Sequence, residues 1–189
     1  MTREDLQLDP GFFLTQQSFT LYRLARARYA NLSGIGAASA PGRWNRLGQE
    51  AIYTSTEMGV PVLERLVHTP KNLIPSNLAL MRLRVTGNWE IHKNAIFDSE
   101  TSGCLWFYRD IATANDQFHS GRHLFAVGVD PFAVAVPSVV VPVWNVVLYP
   151  QGHGFWEHVF LESVEAFEFD PRLFPEDAAM ESPENEKAS

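Results

Sequence analysis

"GRWNRLGQEAIYTSTEMGVPVLERL", Gly42–Leu66, passes through three patterns in one short run. Its opening has glycine and no period. "AIYTST", Ala51–Thr56, is β-branched and aromatic between polar neighbours and predicts a strand. From Glu57 to about His68 the sequence predicts a helix, capped by Ser55 or Thr56, with Pro61 in the first turn, where its missing N–H costs least. On a helical wheel Val62, Leu63, Leu66 and Val67 share one broad arc, Arg65 and His68 face away, and Glu64 falls at the border. A carboxylate at such a border can line a cleft or lean into water.

Upstream, "FTLYRLARARYA", Phe19–Ala30, fits a strand running into a loop and holds Arg23, Arg26 and Arg28. The following "NLSGIGAASAPGRWNRLGQE" is rich in Gly, Ser and Ala and predicts a long surface loop, a length that is often functional. Downstream, Leu78, Leu80, Arg82 and Arg84 alternate with Ala79, Met81, Leu83 and Val85, a half-buried strand signal. Asn88–Lys93 suggests a shorter strand, and Leu105–Ser120 has a weak helical pattern. "HLFAVGVD", "FAVAVPSVVVPVWNVVLYP" and "HVFLESVEAFEFD" then make the second half mostly strand. The expectation is one strand-rich α+β domain.

Composition limits the function. With 46% hydrophobic and 12% aromatic residues in 189, one sizeable core is available. No run reaches the roughly 18 apolar residues of a membrane span, and "MTREDLQLDPGFF" lacks a signal pattern, so a cytoplasmic address is expected. The single cysteine, Cys104, rules out an intramolecular disulfide and argues against a thiolate zinc site; it reads as a small buried hydrophobe. The net charge of −7 is concentrated in residues 175–189, an acidic tail expected to be frayed, and the remaining body offers little general attraction for nucleic acid.

Familiar motifs are absent: no G-x-x-x-x-G-K-[ST], no H-E-x-x-H and no G-x-S-x-G. His119 with His123, and His153 with His158, have suggestive spacings but no evident third ligand, and read as surface or capping histidines. The three arginines of the first strand read as a solvated edge unless a small anion is their target. Ser138 and Asn145 interrupt a run apolar enough for a sheet centre, so they need partners, which bends at the neighbouring prolines can supply. Arg43, Tyr53 and Glu64 each have an ordinary reading too: a loop arginine, a strand tyrosine, a border charge.

Several blocks bring these residues together. "YRLARARY", "SGIGAASAPGRWNRLGQEAIYTST", "LERLVH", "VPSVVVPVWNVVLYP" and "FEFDPRLF" occur in an order that resembles the RES domain, named for its arginine, glutamate and serine. The resemblance covers residues 19–174, leaving an N-terminal extension, 1–18, and the tail. It departs from the family in the middle and before Asn145, where many relatives are more polar. It implies an ADP-ribosyltransferase-like fold and the toxin of a type II toxin–antitoxin pair. Such a toxin destroys NAD+ by hydrolysis or phosphorolysis, or transfers its ADP-ribose to a protein. NAD+ is then a substrate, with no bound cofactor and no metal.

Carried over by position, the family arginine is Arg43, its tyrosine Tyr53, its glutamate Glu64 and its serine Ser138. Arg23 matches a second arginine near the cleft and Asn145 the asparagine block. Glu64, Arg43 and Tyr53 are the expected catalytic set, and Arg23, Arg43, Tyr53, Ser138 and Asn145 the expected substrate contacts. The implied partner is an antitoxin with an Xre-type helix-turn-helix region whose end segment blocks the cleft, with a homodimer inside the complex a further expectation. Two other classes predict different behaviour: a nucleic-acid-directed toxin would bind in a salt-sensitive way, and a non-catalytic module would fold without turning over NAD+.

Overall fold

The alternation read at residues 78–85 organises the whole sheet. A computed structural model describes residues 18–87, 89–92, 95–98, 104–107, 131–176 and 178–180. In it β4 (Leu78–Thr86) lies between β1 (Ser18–Arg26) and β10 (Val159–Phe167), antiparallel to both. On one face of these strands Leu21, Met81, Leu83 and Val85 are sealed from water, while Arg82 and Arg84 turn to the other face and meet Glu162 of β10. Period-two patterning sets the register, because a slip of one residue would exchange these faces.

Beyond β1 the sheet continues through β2 (Ile52–Ser55), β9 (Trp144–Leu148), β8 (Ala133–Pro137), β7 (Cys104–Phe107), β6 (Ala95–Asp98) and β5 (Trp89–His92). The nine strands run in the order β10-β4-β1-β2-β9-β8-β7-β6-β5, and only β7 with β8 is parallel. Helices are few: α1 (Ile35–Ala38), α2 (Gly59–Val67) and α3 (Phe155–His158). The strand-rich α+β expectation holds. The core gathers Leu21, Ile52, Leu83, Phe132, Leu148 and Phe155 from both halves of the chain.

Four expectations need correction. The weak helical pattern from Leu105 begins in strand β7, since Leu105 is buried at the pairing with Ala133; residues 108–120 lie outside the described part. The tail does not fray at 175, because β11 (Ala179–Met180) pairs in parallel with β3 (Leu73–Ile74). Backbone pairing of this kind, with Ala179 N donating to Asn72 O, needs none of the apolar burial that the tail lacks. Residues 181–189 are outside the described part.

The glycine-rich loop holds α1 and a bridge between Gly42 and Asn45, and it buries Trp44 and Asn45. Finally, neither Ser55 nor Thr56 caps α2, whose N-cap is Met58: both hydroxyls donate to Trp144 O of β9 instead. Ser55 Oγ still accepts from Glu57 N at 3.5 Å, but that N–H lies before the helix, which starts two residues later than the sequence predicts.

Leu83 has no exposed surface and lies between the partners of β4. Leu83→Ala is expected to cost about 2–5 kcal/mol, seen as a lower urea midpoint at unchanged slope.

Candidate active site

The border position of Glu64 on its helix is settled by what it touches. Helix α2 lies against β1 and β2, with Val60 buried at 4% exposure and Glu64 one turn further on. Oε1 of Glu64 accepts from Ser138 Oγ at 3.0 Å and from Asn145 Nδ2 at 2.6 Å. Two charge-assisted hydrogen bonds outweigh the apolar arc of the wheel. Leu63 and Val67 are consequently exposed, Val67 at 65%, and Arg65 is half-buried instead of facing away.

Ser138 and Asn145 come from the β8–β9 connection. Ser138 N donates to Val143 O at 2.8 Å, closing the turn, and its hydroxyl also accepts from Val140 N at 3.2 Å. The bend reading of Ser138 was thus half right: it braces a proline-flanked turn and holds the carboxylate as well. Asn145 pairs with Ser55, and Ser55 with Tyr22, so strand alternation puts Tyr22, Tyr53, Ser55 and Asn145 on one face. Orienting the Asn145 amide toward the carboxylate leaves its Oδ1 buried without a partner. An orphan of this kind typically costs about 1–3 kcal/mol. All hydrogen bonding to Glu64 falls on Oε1, and Oε2 is left without a donor among the described residues.

Tyr53 stands on that face from β2, and the Arg43 charge lies near it from the loop. The Tyr53 hydroxyl donates to Asn45 Oδ1 at 2.7 Å and accepts from Trp44 N at 3.3 Å. The residue is 38% exposed although its hydroxyl end is tied inward, so it presents ring to solvent. Burial pushes its pKa above the ordinary tyrosine value, opposed by the Trp44 hydrogen bond and the nearby Arg43 charge. Arg43 itself is exposed, between two anchored residues. Asn45, Trp44 and Tyr149, whose hydroxyl donates to Trp44 O at 2.7 Å, were not singled out from the sequence. The available signal was Trp44 directly after Arg43, since a loop tryptophan usually buries its ring; nothing local marked Asn45.

Arg23 differs from its expected place. Strand alternation sets it on the face of Phe19 and Leu21, opposite Tyr22, and it is 9% exposed, not at a solvated edge. Its guanidinium donates to Asn31 O at 3.1 Å, and no carboxylate pairs with it among the described residues. Burial lowers its pKa from the ordinary arginine value to about 10. It therefore props the start of the loop that leads to α1 and Arg43. Of the histidines, His158 is buried, bonded through Nδ1 to Thr86 O at 2.6 Å and stacked on Phe132, so it is not a surface histidine. His153 is exposed, and His119 and His123 lie outside the described residues. Among the described residues no group of three His, Cys, Asp or Glu can hold a metal, and no helix is long and apolar enough to cross a membrane.

Two measurements check these placements. The lowered pKa of Arg23 corresponds to about 3 kcal/mol of unfavourable burial; Arg23→Met is expected to gain about 1–2 kcal/mol in urea unfolding after loss of the Asn31 hydrogen bond. For Tyr53 the folded pKa lies above the unfolded one. Its contribution is then constant below about pH 10, and stability falls as pH rises from there through the folded pKa. Tyr53→Phe is expected to flatten that alkaline loss, measured as the difference between the two unfolding curves at pH 8 and above pH 10.

Comparison with known proteins places the chain in a family. The RES domain family model matches residues 20–170. A protein named Toxin Res from Photorhabdus laumondii is 32% identical over 158 residues, spanning 81% of this chain and 96% of that one. A Prs ADP-ribosylating toxin from a Sphingobium species is 28% identical over 143 residues, spanning 76% and 86% respectively. Among solved structures, the crystal structure of the M. tuberculosis MbcT–MbcA toxin–antitoxin complex contains a chain of similar fold. It matches with a TM-score of 0.50 at 18% identity, covering 82% of this chain and 86% of that chain. With the family model spanning residues 20–170 and a relative 32% identical across 81% of the chain, the chain belongs to the RES domain family.

Proposed function

We propose that this protein is the toxin of a toxin–antitoxin pair and that it splits the nicotinamide–ribose bond of NAD+. The observation that carries the reading is the Glu64 carboxylate, held at Oε1 by Ser138 and Asn145 with Oε2 open, on the face that also bears Tyr53. Cleavage breaks the bond from ribose C1′ to the ring nitrogen, and the electron pair leaves with neutral nicotinamide. The ribose passes through an oxocarbenium-like state, as in glycoside hydrolysis. Glu64 Oε2 then accepts from a ribose hydroxyl and its charge stabilises the developing cation. Tyr53 offers a ring face for nicotinamide to stack on, its hydroxyl being already engaged. Arg43 supplies a planar, exposed cation for the pyrophosphate.

Water attacking C1′ gives ADP-ribose and releases a proton; inorganic phosphate gives ADP-ribose 1-phosphate. We place destruction of NAD+ first. The second reading, transfer to a protein side chain, is favoured by the Sphingobium relative, which is named an ADP-ribosylating toxin. The toxin role is supported by relatives of that name and by a fold found in a toxin–antitoxin complex. The proposed partner is an antitoxin of Xre type whose end segment fills the Glu64 cleft, and the proposed site of action is the cytoplasm, where NAD+ is held.

Glu64→Gln keeps the shape and removes the charge. Loss of one preorganised electrostatic contact costs roughly 10²–10³ in rate, so induced wild type is expected to lower cellular NAD+ rapidly and Glu64→Gln to leave it near its starting level. Mass spectrometry of the products separates the acceptors. Arrest with NAD+ unchanged and a modified protein would favour transfer, and equal turnover by the two chains would remove Glu64 from the mechanism.

A further inference from the structure

We propose that Asn45 is a positioning residue for Arg43, acting as a bracket that fixes the arginine's backbone on both sides; the proposal rests on the NAD+ reading above. Asn45 is 3% exposed, a burial that an asparagine tolerates only when its amide is fully used. It is. Nδ2 donates to Ala37 O and Ala40 O, both at 2.9 Å, with Arg46 O at 3.2 Å, and Oδ1 accepts from the Tyr53 hydroxyl at 2.7 Å. One side chain thus joins α1 and the residues after it to the central strand β2.

Arg43 sits inside this bracket. On one side of it, Gly42 N donates to Asn45 O at 3.0 Å; on the other, Trp44 N donates to the Tyr53 hydroxyl at 3.3 Å. Tyr149 holds the Trp44 carbonyl from β9. Gly42 has no room to be anything else, because a Cβ there would collide with Asn45 Oδ1 and the Tyr53 hydroxyl. The flanking backbone is pinned while the Arg43 side chain stays exposed. Pinning matters because a displacement of about 1 Å at a substrate-orienting group can cost roughly 10² in turnover. Asn45's bonded partners do not include Glu64, so the proposal assigns its effect on NAD+ to Arg43; an effect through the Tyr53 ring would survive in an Arg43→Ala background.

The test is a double-mutant cycle on purified chain, read as KM and kcat for NAD+, with hydrogen exchange measured on the same proteins. Asn45→Ala is expected to raise KM about tenfold with a much smaller change in kcat, since the Glu64 pocket is untouched. In an Arg43→Ala background it is expected to add nothing, because the group it positions is gone. Amide protection at Gly42 and Trp44 should fall while that of β1 and β4 persists. An equal rise in KM in both backgrounds, an unchanged KM, or unchanged protection at Gly42 and Trp44 would overturn the proposal. Should Asn45→Ala not fold, Asn45→Asp retains shape and Oδ1 while removing the Nδ2 donors, and the same expectations apply to it. Absence of NAD+ turnover by the wild type would instead overturn the functional reading and leave the bracket, if the exchange result holds, a purely structural device.

Discussion

The contact on which the site depends is the pair of hydrogen bonds that Ser138 and Asn145 make to Glu64 Oε1. They join residues far apart in sequence and lock a helix to a strand hairpin. Apolar contact shares in setting the rotation of α2, with Val60 sealed and Val62 and Leu66 half-buried, but it leaves Leu63 and Val67 exposed. The polar tie fixes the remaining choice, which way the border glutamate turns.

The same carboxylate shows how the fold divides its labour. Both donors fall on Oε1, and among the described residues none reaches Oε2 and no cation pairs with the carboxylate, so the group is oriented by neutral groups. An arginine or lysine opposite Glu64 would hold it as well but would quench the charge that an oxocarbenium-like state needs. Neutral donors position it and leave its charge available. On the other side of the face, Tyr53 spends its hydroxyl on Asn45 and keeps its ring, while Arg43 has its backbone tied and its guanidinium exposed. In each case one end of the side chain or its backbone is anchored and the chemically useful end is not.

The pieces legible in sequence were those with a period or a strong local rule. Strand β4 announced itself by alternation, the second half by its β-branched runs, and the helix by Pro61 and its polar boundary. The site residues Arg43, Tyr53, Glu64 and Ser138 came from resemblance, since spacing alone could not distinguish a border glutamate from a solvated one. What was illegible had long-range causes. Which way the border glutamate of α2 turns depends on donors from a distant hairpin, and the burial of Asn45 depends on carbonyls of a four-residue helix with no pattern of its own. Arg23 was read as exposed because arginines usually are; its burial follows from a strand position that alternation assigns to the core, with a loop carbonyl near enough to receive it.

Two costs in this structure point the same way. Arg23 is buried with one carbonyl for a partner, and Asn145 gives up a bond to its own Oδ1 in order to face Glu64. An apolar residue in place of Arg23 would spare the cost of its burial, whereas one in place of Asn145 would also take a donor from Glu64. Sequences agree locally with their fold almost everywhere, and the exceptions gather where function is asked of them. Here one exception orients the carboxylate and the other props the loop that carries Arg43. They sit on opposite faces of the sheet, so neither compensates the other. A shared origin in the proposed site would explain both, because Glu64 and Arg43 are the two groups that the proposed reading brings to one substrate.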